Sequence, residues 1–493
     1  MFKFASRLGA GTLLAALLVA PAPLCAQTAP APPPLSPQDG AAIAAAWQAA
    51  SEIAGAPSLA AALELLAGPD AAARRQADAT LTLAAQSLAL AEHGTVQNPR
   101  AVDKDWALRA PYDAVADFEA ARVQGRIADW AAALPRRDGA YRALLDERAR
   151  YAAILAAGGW KSLDAGPAPK LGAVDSRAPD LRARLALEGY VAPAPKPPEP
   201  VPPATASAAA GAAPPKTPPN PLEIYDAGLA AAVADFQGHH ALKADGVLNP
   251  DTLAALNIPV QDRIATLDAN IERARWLPDR LPPQRIEVDI AATEATLFQG
   301  GAPVLPMRAI VGDLRHHTPS FVSQVDAVVF DPPWIVPASI AAAELYPRQR
   351  RDPRYFAAHD FYVANGQLIQ RAGPKASLGY IKFDMPDPFG VYLHDTPARS
   401  LFNRDRRWLS HGCMRLQMPR ELATALLAPQ GWRREDIDAA IAAGATRRVG
   451  LAAPTPVYVV YRTAIAEPDG KVDFRPDAYG WDARLIQVLG ARP

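Results

Sequence analysis

One short segment holds side chains suited to nucleophilic catalysis. Residues 410–415 read Ser-His-Gly-Cys-Met-Arg, and Cys413 is the second of only two cysteines in the 493-residue sequence. A free thiol titrates at about 8.5, so a cysteine nucleophile needs a neighbouring base to become a thiolate at neutral pH. His394 lies upstream, in the segment Val-Tyr-Leu-His-Asp-Thr. The separation is too long for a local contact, but two neighbouring strands joined by a loop would bring the pair together.

The residues beside Cys413 fit the other needs of such a site. Gly412 permits a positive φ and a close backbone approach. The amides of Gly412 and Cys413 suit a developing oxyanion. If the segment is extended, His411, Cys413 and Arg415 share one side, where the Arg415 guanidinium suits a substrate carboxylate. We expect the histidine to take the thiol proton and pre-form an ion pair.

Two other interpretations use the same residues. A lone cysteine is most often a small buried apolar side chain, although the flanking histidines favour catalysis here. His394, His411 and Cys413 could instead be three zinc ligands. The usual paired-ligand spacings are absent, and the adjacent histidines at 239–240 and 316–317 would point to opposite faces of a strand.

The first 26 residues have the layout of a secretory signal peptide. Lys3 and Arg7 precede an apolar run over residues 8–20, shorter than the roughly 20 residues of a membrane span. A lipoprotein anchor on Cys25 is the alternative. We expect an exported, periplasmic protein without a stable membrane span. The formal net charge of zero argues against a nucleic-acid partner.

Proline-rich stretches divide the rest of the chain. A Pro/Ala-rich spacer covers residues 27–40. Residues 41–190 have helical periodicity and predict a scaffold domain, with an apolar face that includes Leu83, Leu90, Val115 and Phe118. Residues 191–222 predict an extended linker, because residues 191–221 contain 12 prolines.

Residues 223–260 predict a compact helical unit. Asp245-Gly246 suits a tight turn, and Asn249 or Thr252 suits a helix cap. The pattern from Ala232-Val233 through Phe236-Gln237 to Leu256-Asn257 resembles the small three-helix peptidoglycan-binding module. A helical brace that binds no glycan is the alternative.

The C-terminal region changes to a period of two. A connecting helix is predicted over 261–284, and residues 285–493 predict a mainly β domain. Strand patterns recur at 285–290, 296–299, 321–330 and 457–461, and helices interrupt at about 337–357 and 419–444. The chain is therefore predicted to be multidomain α+β.

The joint motif resembles the catalytic signature of the L,D-transpeptidases with a YkuD-type domain. The likeness includes Val311-Gly312, Thr318-Pro319, the stretch 331–337 and the segment 474–480. With the helical region and binding module ahead of it, the chain is similar to the large YcbB branch.

That resemblance implies a role for each matching residue. Cys413 would be the nucleophile, and His394 the general base oriented by a backbone carbonyl. His411 and Gly412 would shape the nucleophile loop, with Ser410 beside them. Tyr392 and Arg415 would line the acyl site. Residues 337–379 would form an inserted lid, and neither cofactor nor metal is expected.

The implied reaction joins peptidoglycan stems. Cys413 would attack the carbonyl of the third stem residue, release D-Ala, and pass the acyl group to a second stem amine to give a 3→3 cross-link. The alternatives are an L,D-carboxypeptidase, a 1→3 cross-linking or protein-anchoring transpeptidase, and a non-catalytic peptidoglycan-binding scaffold. The predicted partners are stem peptides and glycan, and the sequence identifies no protein partner.

Overall fold

The computed structural model describes most of the chain. The described residues are 32–50, 58–93, 99–108, 112–134, 139–190, 220–278 and 280–490. The predicted signal peptide and nearly all of the Pro-rich segment lie outside these residues. Within the described part, no helix is both long and apolar enough to cross a membrane.

The N-terminal region is helical, as its periodicity predicts. Its helices are α1 (Pro37–Ala49), α2 (Ala60–Ala67), α3 (Ala71–His93), α4 (Pro99–Val102), α5 (Ala114–Val123), α6 (Ile127–Ala133), α7 (Gly139–Ala156) and α8 (Ala178–Leu187). The predicted apolar face is largely wrong, because Leu83, Leu90 and Val115 are exposed. Helix α3 instead buries Leu81, Leu88 and four alanines, whose small side chains let neighbouring helices approach closely.

Of the next two helices, the second begins at a cap that the sequence predicts. Helices α9 (Ala227–Gly238) and α10 (Pro250–Leu256) are joined by the turn at Asp245-Gly246. Asn249 is the N-cap of α10, where its side chain accepts from the amide of Thr252 at 2.8 Å. Gly246 has φ +66°, and a Cβ there would lie 2.6 Å from the carbonyl oxygen of Ala230. Only glycine therefore fits this turn.

Helix α8 packs with α9 and α10 although it precedes the Pro-rich segment. Leu181 and Leu185 of α8 share one buried cluster with Leu229 and Phe236 of α9. Arg184 donates to the carbonyl of Leu256 at 3.0 Å. The predicted boundaries assign α8 to the scaffold and separate it from the 223–260 unit. The packing instead groups α8 with that unit, because α8 supplies the third helix of its core.

A single helix, α11 (Val260–Arg275), leads into the β domain. Leu267 and Ile271 pack against α7 and the C-terminal hairpin, so this helix buries an apolar face. That hairpin is β14 (Ala464–Ala466) with β15 (Val472–Phe474), and residues 467–471 connect the two strands. Phe474 donates its amide to the carbonyl of His239 at 2.7 Å, so the hairpin also contacts α9.

The C-terminal region is built on one large sheet. Its strands are β1 (Trp106–Ala107), β2 (Arg285–Asp289), β3 (Glu294–Gln299), β4 (Ala302–Gly312), β5 (Ser320–Phe330), β9 (Ile381–Asp384), β10 (Leu393–His394), β11 (Trp408–Ser410), β12 (Met414–Leu416) and β13 (Arg447–Val460). The order is β1-β5-β13-β2-β3-β4-β12-β10-β9, with β11 beside β4. Because β9 also pairs with β5, the sheet closes on itself. All five residues of β2 are buried, so its polar residues do not face water as a simple alternation predicts.

Short helices and a small sheet interrupt this barrel. The small sheet has the order β6 (Trp334–Ile335), β8 (Gln367–Gln370), β7 (Phe361–Ala364). Helices α12 (Ala338–Ile340), α13 (Tyr346–Arg351) and α14 (Tyr355–Ala358) pack on it, with a π-helical turn at Ala341–Leu345. Helices α15 (Pro419–Leu427), α16 (Arg434–Ala442) and α17 (Trp481–Gly490) lie later in the chain.

Strand β1 comes from the N-terminal region and was missed by the sequence patterns. It pairs in parallel with the start of β5, where Trp106 lies opposite Ser320. The Trp106 ring is fully buried against Trp276 and Trp481, at centroid distances of 5.3 and 5.8 Å. The barrel core therefore contains residues from both ends of the chain.

Candidate active site

Cys413 lies on the short loop between β11 and β12. It is a free, half-buried thiol. Gly412 before it has φ +109°, a conformation that favours glycine. A Cβ at Gly412 would lie 3.4 Å from both the His317 carbonyl oxygen and the Val391 side chain. The loop therefore needs glycine chiefly for its backbone conformation.

The parallel pairing of β10 with β12 brings the predicted partners together. Leu393 lies opposite Met414, and His394 lies opposite Arg415. Because side chains alternate along a strand, Tyr392 and His394 share one face of the sheet with Cys413 and Arg415. The amide of Met414 donates to the Tyr392 carbonyl at 3.0 Å, which continues this register toward Cys413.

His394 is buried and oriented by backbone. Its Nδ1 lies 2.5 Å from the carbonyl oxygen of Asp395, so Nδ1 carries the hydrogen and Nε2 keeps its lone pair. The Asp395 carboxylate points elsewhere, and it accepts from the Tyr380 amide and from Arg399. Burial, with the nearby Arg415 charge, lowers the pKa of His394 to about 3. The imidazole is therefore neutral at neutral pH.

The thiol of Cys413 is also held in its neutral form. Burial raises the pKa of Cys413 above its ordinary value, although hydrogen bonds from the Tyr392 amide and hydroxyl and the charge of Arg415 oppose this effect. The expected ion pair of thiolate and imidazolium is thus wrong for the resting site. Desolvation penalises both charged forms, and the hydrogen bonds do not compensate for it.

Tyr392 connects the thiol to the segment at β6. Its hydroxyl interacts with Cys413 and with the side chain of Trp334, and burial raises the pKa of Tyr392. Its ring lies 5.7 Å from that of His394 and 4.6 Å from the Lys382 ammonium. Tyr392 therefore packs among the reactive groups as well as hydrogen-bonding one of them.

Arg415 is a half-buried cation on the same face. Burial lowers the pKa of Arg415, and its Nε has no hydrogen-bond partner within the described residues. The adjacent ammonium of Lys382 is paired with Asp384 at 2.8 Å. Arg415 thus has donor capacity that the described chain does not use, at a position beside Cys413.

Ser410 and Gly412 shape the loop through hydrogen bonds. The Ser410 hydroxyl donates to the Cys413 carbonyl at 2.6 Å and accepts from the Gly412 amide at 3.1 Å. The Gly412 amide is therefore already engaged, unlike the free oxyanion donor that we expected. The Gly412 carbonyl accepts from the hydroxyl of Thr318 at 2.7 Å.

His411 contacts the inserted segment and a turn of the barrel. Its Nε2 lies 2.5 Å from Glu344 of the π-helical turn, and its ring lies 4.8 Å from that of His316. The expectation that His411 shares the side of Cys413 assumes an extended segment, and the positive φ of Gly412 interrupts that conformation.

Several supporting residues had no assigned role in the sequence interpretation. Thr318 also accepts from the Gly312 amide at 2.8 Å, and Tyr479 donates to the Gly312 carbonyl at 2.6 Å. Both residues lie in segments that the resemblance included, but only the fold places them beside the nucleophile loop. Glu344 gave no sequence signal, since its contact depends on the packing of an insertion.

A metal centre finds no support in the described part of the chain. No group of three or more His, Cys, Asp or Glu side chains there is placed to hold a metal ion. Two of the three candidate zinc ligands have separate partners, since His394 bonds to the Asp395 carbonyl and His411 bonds to Glu344.

Comparison with known proteins matches two segments of the chain to protein families. Residues 283–459 match the L,D-transpeptidase catalytic domain (YkuD), and residues 211–256 match a putative peptidoglycan binding domain. A putative L,D-transpeptidase of Haemophilus influenzae is 31% identical over 239 residues, which cover 44% of this chain and 48% of that protein. The chain thus spans about half the length of this curated relative.

Solved structures of L,D-transpeptidases also match. The one from Mycobacterium smegmatis is 17% identical over 36% of this chain and 58% of its own, with a TM-score of 0.21. The one from Xylanimonas cellulosilytica is 15% identical over 60% of this chain and 99% of its own, with a TM-score of 0.19. Assignment to the YcbB-like branch stays a prediction. The predicted fold class is confirmed: a mainly β region, of which residues 283–459 match the L,D-transpeptidase catalytic domain (YkuD), follows a helical region and a segment that matches a putative peptidoglycan binding domain.

Proposed function

We propose that the chain is an L,D-transpeptidase that acts through Cys413 as its nucleophile. The observation that carries this proposal is the shared sheet face of His394, Tyr392, Arg415 and Cys413, set by the β10–β12 register. A thiol, a neutral base and a cation with spare donors are the parts that acyl transfer from a carboxylate-bearing peptide needs.

The first half-reaction forms a thioester. His394 Nε2 takes the Cys413 proton as the sulfur attacks the carbonyl of the third stem residue. A tetrahedral intermediate forms, and the imidazolium then gives its proton to the departing nitrogen of D-Ala. Because both groups rest in neutral form, proton transfer accompanies attack rather than preceding it.

The second half-reaction transfers the acyl group. The side-chain amine of another stem attacks the thioester, and His394 accepts the amine proton. The sulfur leaves and regains a proton from the imidazolium, which restores the neutral pair. The product is a 3→3 cross-link. A thioester suits this step because it reacts with amines in preference to water more than an oxygen ester does.

Two sets of donors would stabilise the substrate's negative charges. The half-buried guanidinium of Arg415 would bind a stem carboxylate, since Arg415 lies on the same sheet face as Cys413. The Cys413 amide would meet the oxyanion, and the Gly412 amide would join it only by leaving Ser410.

The proposed substrate implies the partners of the enzyme and the compartment in which it acts. The putative peptidoglycan-binding domain supports wall glycan and stem peptides as partners. Action on peptidoglycan would place the enzyme outside the cytoplasmic membrane, which in a two-membrane cell is the periplasm. The predicted signal peptide at residues 1–26 would direct that export.

Mass spectrometry of reaction products tests the proposal. Protein beginning at Gln27 would be incubated with purified disaccharide-tetrapeptide, beside a Cys413→Ala control. We expect a dimer that lacks one D-Ala, absent with the control, and fragmentation that places the bond between two third residues. Tripeptide without dimer would mean that water is the acceptor. No Cys413-dependent product from folded protein that binds sacculi would overturn the proposal in favour of a binding scaffold.

A further inference from the structure

Glu344 occupies an unusual turn of the inserted segment that we call the lid (residues 337–379). It lies in the π-helical turn Ala341–Leu345, and turns of this kind are rare and frequent at functional sites. Ala341 and Leu345 are buried in a cluster with Val336 and Leu368, which anchors the turn to the small sheet. The Glu344 side chain is one-third exposed and so is free of that cluster.

The carboxylate of Glu344 reaches across to the nucleophile loop (residues 410–413). Its Oε1 lies 2.5 Å from Nε2 of His411, and each of the two side chains is 33% exposed. Since a carboxylate only accepts, the imidazole donates from Nε2. The other carboxylate oxygen lies 3.4 Å from Arg348, one turn along the lid.

The opposite side of the nucleophile loop is fixed to the barrel. The Asp313 amide donates to the Ser410 carbonyl at 2.8 Å, and the His316 ring lies at a tilt to that of His411, with the ring centroids 4.8 Å apart. His316 is in turn held by Asp313, whose Oδ1 lies 3.1 Å from its Nδ1. His411 therefore lies between His316, in a turn of the barrel, and the Glu344 side chain of the lid.

We propose that Glu344 is a positioning residue, which aligns the nucleophile loop through His411 when the lid covers the cleft. The inference rests on the proposed function, because it assigns a second duty to the same site. His411 is two residues from Cys413, so a shift of its ring moves the backbone that carries the thiol. A displacement of about 1 Å at reacting atoms costs on the order of 100-fold in rate.

Kinetics and thiol labelling together test this role. In Glu344→Ala we expect kcat to fall about tenfold, the size typical of losing one charge-assisted hydrogen bond. KM should change less, because Glu344 does not touch the substrate. Alkylation of Cys413 by a bulky maleimide should become several-fold faster as the lid loosens, while alkylation by small iodoacetamide changes little. Glu344→Gln should partly rescue kcat, since its amide oxygen still accepts from His411.

Two lid variants serve as matched controls. Asp352→Asn removes a lid carboxylate whose nearest cation is Arg354, at 4.0 Å within the lid, and should behave as wild type. Arg348→Ala removes the other partner of Glu344 and leaves His411 untouched, so it should also resemble wild type. If Arg348→Ala reproduces Glu344→Ala, the carboxylate acts by stabilising the lid helix, and the proposal is wrong.

The labelling measurements separate this inference from the proposed function. Alkylation needs no turnover, so the lid contact can be tested even if the stem peptide proves not to be the substrate. Wild-type alkylation rates and wild-type kcat in Glu344→Ala would overturn the positioning role alone. Loss of every Cys413-dependent product from the wild-type protein would overturn the function alone.

Discussion

His394 and Arg415 lie directly opposite each other in the parallel pair of β10 and β12. On the other side of His394, the antiparallel pairing with β9 places Lys382 opposite the same residue. His394 thus lies between two cationic residues on adjacent strands, and we call these three residues the row. Burial is the largest cause of its low pKa, and the charges of Arg415 and Lys382 lower it further. The row keeps the proposed base unprotonated while offering positive charge to an anionic substrate.

Replacing Arg415 should therefore change two properties at once. In Arg415→Gln we expect the pKa of His394 to rise from about 3 toward its ordinary value without reaching it, because burial remains. The KM for the donor stem should also rise, since a carboxylate partner is lost. NMR titration of the imidazole and steady-state kinetics measure the two effects. Arg420→Gln is the control, because Arg420 pairs with Asp438 on α16. An unchanged His394 pKa in Arg415→Gln would show that the charge of Arg415 does not lower that pKa.

The pH dependence of thiol alkylation reports the resting protonation state. A raised pKa for Cys413 means that the thiolate fraction keeps growing through and beyond about pH 8.5, the ordinary cysteine value. His394 is already neutral above about pH 3, so it adds no acidic limb between pH 5 and 8. The iodoacetamide rate should rise with pH across that range. A rate that is flat from pH 5 to 8 would instead show a pre-formed ion pair.

Thr318→Val should weaken the nucleophile loop without altering any reacting group. The hydroxyl accepts from the Gly312 amide and donates to the Gly412 carbonyl, and both partners would lose a buried hydrogen bond. We expect a loss of about 1–3 kcal/mol in the free energy of unfolding and a lower kcat. Urea denaturation and kinetics measure these effects. Thr424→Val is the control, since its hydroxyl bonds only within α15. Equal stability of the Thr318 variant and wild type would refute the anchoring role.

Trp106→Ala tests whether the N-terminal region supports the barrel. The ring is fully buried between Trp276 and Trp481, so its removal leaves a large cavity. Substitutions of this kind cost about 3–5 kcal/mol. We expect the unfolding transition of the β domain, followed by near-ultraviolet circular dichroism, to move to lower urea. Trp47→Ala is the comparison, because Trp47 packs in the N-terminal helices outside the barrel cluster. A barrel transition insensitive to Trp106 would mean that β1 is dispensable.

The sequence predicted the parts of the site that depend on strand pairing. His394 and Cys413 were expected on neighbouring strands, and the register of β10 with β12 places them on one face. It did not predict the contact of His411 with Glu344, because that contact depends on the packing of the inserted segment. It also missed the neutral state of the pair, since desolvation depends on burial that no local pattern reveals.

In the fold, too, features set by local sequence were predictable and features set by tertiary packing were not. Caps, turns and the long strands were predictable, because they depend on local chemistry such as Asn249 and Gly246. The buried face of α3 was not, since alanine-rich helices present similar residues all round. Strand β1 was missed because two residues carry no period, and only its pairing with β5 defines it.

The packing of α8 brings together the described residues that flank the Pro-rich segment. Tyr190, just before that segment, and Tyr225, just after it, are buried in one cluster with Phe236. The described residues on either side of that segment therefore belong to one packed unit. Doubling the length of the segment should cost only about 0.6 kcal/mol in loop closure and should leave the reach of the catalytic domain unchanged. Cutting the chain there would separate α8 from α9 and α10, which share its buried cluster, so fragments that begin at residue 220 should fail to fold.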